Sequence, residues 1–68
     1  MTQQEYINDT RNIYGRNLLS KKETAIELGG ISIATLDRIR QAGDIKSTKV
    51  SGQIMFKSID IYTYLFCR

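Results

Sequence analysis

"LGGISIATLDRIRQAGDI", residues 28–45, sets two glycines, a serine, a short amphipathic run with two arginines and a third glycine into one stretch. Gly29 and Gly30 end the helix before them, because glycine takes the left-handed conformation of a helix C-cap without a side-chain penalty. Ser32 then caps the next helix, its hydroxyl accepting from a free amide of the first turn. From it "IATLDRIRQA" carries Leu36 and Ile39 three apart on one face, and Gly43 stops the run.

Working outward, Ser20 and Glu23 form a capping box in "NLLSKKETAIEL", which predicts a helix from Lys21 to Leu28. Ala25 and Leu28 face its core, with Leu18 or Leu19 entering from before the cap. The centre of the chain is thus helix, three-residue turn, helix. Downstream, "IKSTKV" and "QIMFK" are short β-rich runs joined around Ser51-Gly52 and read as a hairpin. Ser58 caps a last helix, "IDIYTYLFCR", with Ile59, Tyr62 and Leu65 or Phe66 at helical spacing. Residues 1–17 are polar, their apolar positions Tyr6, Ile7, Ile13 and Tyr14 too sparse for a strong face. They read as a flexible arm or weak helix ahead of a domain at 18–68. The fold expected is mainly α with a small β-hairpin.

Composition narrows the chemistry. The 68 residues form one small domain that buries a handful of side chains and encloses no deep pocket. There is no histidine, the commonest general base and metal ligand, and the one cysteine makes neither an internal disulfide nor a cysteine zinc site. A binding protein without cofactor or metal is expected, not an enzyme. No apolar run reaches the roughly 18 residues of a membrane helix, and the N-terminus has no signal-peptide stretch, so a cytoplasmic location is expected. The net charge of +3 is uneven. Residues 1–17 cancel, whereas residues 18–68 hold eight Lys/Arg against five Asp/Glu. An excess of this kind suits a nucleic-acid surface and equally a solvated one.

Two short helices joined by a glycine turn sketch a helix-turn-helix, whose second helix lies in the major groove. With Leu36 and Ile39 inward, helical geometry turns Ile33, Ala34, Asp37, Arg38 and Gln41 outward, and the Ser32 cap leaves amides near a phosphate. Arginine there can pair with guanine O6 and N7, glutamine with adenine, and Ile33 or Ala34 can lie on thymine methyls. Other features read as structure. Tyr62, Tyr64 and Phe66 suit core or partner contacts better than base stacking, and Cys67 is an incidental thiol. Glu23/Glu27 and Asp37/Asp44 have no nucleophile or ligand set around them.

From Leu18 to Leu65 the chain resembles the excisionase-type, AlpA-like winged helix-turn-helix family, related to the N-terminal domains of the MerR regulators. The carriers are "LLSKKETAIEL" as first helix, "ISIATLDRIRQAGDI" as recognition helix with its trailing glycine, "TKVSGQIMFK" as wing and "SIDIYTYL" as closing helix. The resemblance implies a protein that docks the helix from Ser32 to Gln41 in the major groove of double-stranded DNA while the hairpin tip touches the adjacent minor groove or backbone. Thr35 and Arg38 match DNA-contacting positions of that family, and Lys49, Ser51, Gly52 and Gln53 match its wing. Where the family often carries basic residues, this chain has Ile33 and Ala34, and Asp37 would repel phosphate. Weak binding by one copy is the consequence expected.

The role implied is a nucleoid-associated mobile-element or prophage protein, either an excisionase directing an integrase or recombinase, or a small transcription regulator. Further copies of the chain on the DNA are expected partners, held by the 1–17 arm and the apolar end "YLFCR". The alternatives are the DNA-recognition domain of a phage terminase small subunit, or a protein-interaction module on the same fold.

Overall fold

Each of the first three helices starts at a hydroxyl cap. In the computed structural model, which describes residues 2–66, Thr2, Ser20 and Ser32 precede α1 (Gln3–Tyr14), α2 (Lys21–Glu27) and α3 (Ile33–Gln41). Thr2 and Glu5 close one capping box and Ser20 and Glu23 a second, each pair satisfying two amides that have no partner within the helix. The remaining elements are β1 (Leu18–Ser20), β2 (Thr48–Val50), β3 (Gln53–Lys57) and α4 (Ser58–Phe66). Four helices and a three-stranded antiparallel sheet of order β1-β3-β2 make up the described chain.

Of the two readings of residues 1–17, flexible arm or weak helix, the structure has a helix, α1, and it packs against α4. Tyr6, Thr10 and Tyr14 recur every four residues and so share one face; Tyr6 and Thr10 are buried and Tyr14 half-buried. A face carried by tyrosine and threonine escapes a search for aliphatic periodicity. Thr10 is suited to burial because its hydroxyl donates to the Tyr6 and Ile7 carbonyls and lies 2.8 Å from the Ser58 hydroxyl. Gly15, at φ 76°, ends the helix with its amide on the Arg11 carbonyl.

Leu18 and Leu19 do not merely enter from before a cap; they are strand residues. β1 pairs with β3 in the register Leu18↔Lys57, Leu19↔Phe56 and Ser20↔Met55, which sets two fully buried side chains, Leu19 and Phe56, opposite each other. Three residues are too short a run to show alternation, so only the partner strand defines this one. β2 and β3 meet as the expected hairpin, with Val50 opposite Gln53. Ser51 and Gly52 both have positive φ, 51° and 80°, as a type I′ two-residue turn requires.

Leu19, Ala25, Leu36, Ile45, Phe56, Ile61 and Tyr6 form the core, with Leu28 and Ile39 packed half-buried against it. The closing helix departs from expectation in its face. Ile61 is fully buried, Ile59 and Tyr62 are half-buried, and Leu65 and Phe66 are exposed. Ser58 is the first residue of α4, buried, with its hydroxyl on Thr10 rather than on a first-turn amide. α1 docks against this helix: Tyr6 packs against Tyr62 and Phe66, with ring centroids 5.9 and 6.4 Å apart. Cys67 lies outside the described residues.

Candidate nucleic-acid interface

The orientation of α3 follows from Leu36, which has no exposed surface. With that side chain fixed inward and Ile39 half-buried, Ala34, Arg38 and Gln41 form an exposed stripe at i, i+4 and i+7. Ser32 and Ile33 are exposed at its N-terminal end, and Thr35 and Asp37 flank it half-buried. The turn that sets α3 against α2 depends on two consecutive left-handed residues, Gly29 and Gly30 at φ 98° and 80°. The Gly30 and Ile31 amides both reach the Ala25 carbonyl.

Local bonds dispose the site residues differently. The Ser32 hydroxyl accepts from the Thr35 amide and lies 2.9 Å from the Thr35 hydroxyl, so these two side chains tie each other at the helix start. Asp37 turns toward α2: its Oδ1 lies 2.9 Å from Lys21 Nζ and 3.5 Å from Arg40 Nη2. The Lys21 ammonium, reinforced by Arg40, holds the Asp37 carboxyl below the ordinary carboxylate range against an opposing desolvation. Among the described residues, no carboxylate lies within ion-pair distance of Arg38 or Lys49.

Between α3 and the hairpin runs an open groove of about 460 Å³. Ile33, Gly52 and Gln53, three of the residues singled out in the sequence, line it together with Lys21, Lys22 and Met55. Ala34, Arg38 and Gln41 are on the adjoining helix surface, and Lys49 and Ser51 are exposed on the hairpin. Lys21 and Lys22 are the charged groove residues that reading the sequence missed. Their signal was present: lysines in a first helical turn oppose the helix dipole, so two in succession there call for another purpose. Glu23, beside them, accepts from the Ser20 amide and pairs with Arg16 at 2.7 Å.

Away from the groove residues, α1 is clamped to the C-terminal end of α2. The Tyr6 and Tyr14 hydroxyls donate to the two Glu27 carboxylate oxygens at 2.9 and 2.7 Å. Burial, and then the Glu27 charge, push the Tyr14 phenol up to about 12 and the Tyr6 phenol higher still. Glu27 therefore holds two protonated phenols two residues before the glycine turn. Among the described residues, no three metal-ligating side chains gather at one point and no helix is long and apolar enough to cross a membrane.

Comparison with family models, with curated proteins and with solved structures finds no match.

Proposed function

We propose that the protein is a winged helix-turn-helix DNA-binding protein that docks α3 in the major groove of duplex DNA and lays the β2–β3 hairpin along the neighbouring backbone. The observation that carries this reading is the exposed stripe Ala34, Arg38 and Gln41 beside a groove edged by Lys22 and the hairpin tip, with the Lys21 ammonium paired to Asp37. A helix with a short, exposed, cationic face next to a cationic groove offers base contact and phosphate grip at once. Arg38 is the base-reading candidate, Gln41 its neighbour one turn on, and Ile33 and Ala34 supply apolar contact for thymine methyls. Lys22, Lys49, Ser51, Gly52 and Gln53 contribute sequence-independent contact.

The biological setting proposed is that of the resemblance drawn from the sequence: a mobile-element protein that directs a recombinase by shaping DNA, or one that regulates transcription. One short helix and one hairpin make a small footprint, since single modules of this kind bury about 600–1,000 Å². Binding by several copies on adjacent sites compensates for it.

Selection of preferred sites from random duplexes, followed by a salt titration on the recovered site, tests the reading. Affinity is expected to fall linearly on logarithmic axes as salt rises, because phosphate contacts release counterions. Arg38→Ala is expected to weaken specific binding by about 1–3 kcal/mol, and Lys49→Ala to lower the salt slope by about one for matched and mismatched duplexes alike. Failure to recover any motif, with duplex binding absent at low salt, refutes the proposal.

A further inference from the structure

We propose that Asp37 is a charge brake on the nucleic-acid surface: it holds Lys21, which lines the groove, in an ion pair and so keeps that cation from phosphate. The inference rests on the DNA-binding reading above and deepens it.

The helix dipole does not account for a carboxylate at this position. Asp37 lies one turn beyond the start of α3 and past its first turn, where an acidic side chain would favour the helix dipole. About a third of the Asp37 and Lys21 side chains and a quarter of Arg40 are exposed, while the pairing oxygen Oδ1 is itself out of solvent. The net stability such pairs add is small, because desolvation of the buried oxygen offsets the attraction and the exposed ends of the side chains are screened. Their placement has a clear electrostatic effect, however. Asp37 directly precedes Arg38 in the chain, and Lys21 lines the groove beside Ile33. Lys21, Arg40 and Asp37 together present a net charge of one, where the two cations alone would present two.

A carboxylate on this surface acts twice, by repelling the nearest phosphate and by occupying the ammonium that would meet it. Both effects are independent of base sequence. Asp37 therefore lowers the affinity for all duplexes together, and the protein leaves nonspecific DNA more readily in search of its site. The alternative role for an aspartate on a recognition helix is to accept from a cytosine amino group, which is specific to one base position. The two roles predict opposite signs when the charge is removed.

The test is a double-mutant cycle read by duplex binding across a salt series, on the selected site and on a random-sequence duplex. Asp37→Asn keeps the shape and removes the charge. It is expected to tighten binding to both duplexes on the order of 3- to 10-fold at the lowest salt and to steepen the salt slope by about 0.9, the equivalent of one added phosphate contact. Lys21→Gln is expected to change wild-type affinity little and to cancel most of the Asp37→Asn gain, since Lys21 reaches phosphate only once released. Circular dichroism shows that each variant is folded. A wild-type chain that binds duplex while Asp37→Asn binds no tighter at unchanged slope overturns the brake and leaves the DNA-binding reading standing. So does a loss of affinity confined to one base position. Equal effects of Lys21→Gln in both backgrounds overturn the claim that Asp37 restrains Lys21. Absence of salt-dependent duplex binding by both wild type and Asp37→Asn removes the reading and the brake with it.

Discussion

Tyr6 offers the sharpest test of whether the N-terminal helix belongs to the fold. Its side chain is 6% exposed, its ring contacts Tyr62 and Phe66, and its hydroxyl reaches Glu27 at 2.9 Å. Tyr6→Ala removes a large buried aromatic from the core, a change that costs about 3–5 kcal/mol where the site cannot collapse. A domain of 68 residues has roughly 3–10 kcal/mol of stability in all, at about 0.05–0.15 kcal/mol per residue. The alanine variant is thus expected to be partly or fully unfolded in dilute buffer. Tyr6→Phe keeps the ring and loses one hydrogen bond to a carboxylate that still holds Tyr14, for an expected cost of about 1–2 kcal/mol. Urea unfolding followed by far-ultraviolet circular dichroism measures both. A loss below about 1 kcal/mol for Tyr6→Ala would show that α1 packs too weakly to count as core. Equal losses for the two variants would assign the energy to the hydroxyl and contradict the packing argument.

The remaining predictions concern the phenol clamp and one orphaned hydroxyl. A phenol raised to about 12 in the folded chain, as Tyr14 is, contributes stability that is complete below the ordinary tyrosine value of about 10 and lost as pH rises through the folded value. Urea midpoints are therefore expected to fall across that alkaline window and to fall less in Tyr14→Phe; a wild-type midpoint that stays flat there refutes the clamp. Thr24 is fully buried in α2 and its hydroxyl has no hydrogen-bond partner among the described residues. Replacing it with valine removes an unsatisfied polar atom, with an expected gain of about 1 kcal/mol read as a higher melting temperature, whereas a loss of that size would show that the hydroxyl is bonded.

The amino-acid sequence by itself determined whatever short-range chemistry dictates. Ser20 and Glu23 start α2, Ser32 starts α3 and Ser51-Gly52 closes the hairpin, because each device is completed within a few residues of the chain. The inward Leu36 follows from helical periodicity once the cap is known, and with it the outward Ala34, Arg38 and Gln41. The Thr2 and Glu5 box was equally local and readable, but the face it begins is made of Tyr6, Thr10 and Tyr14, whose burial depends on partners elsewhere. Only the tertiary structure decided those partners. Ser58 accommodates Thr10 from 48 residues away, Glu27 gathers both phenols, Phe56 makes a strand of Leu18–Ser20, and Lys21 draws Asp37 off the outward stripe. In each case a polar or very short segment has no preference of its own strong enough to fix it. Its state is set by a contact that exists only after distant parts of the chain have been brought together.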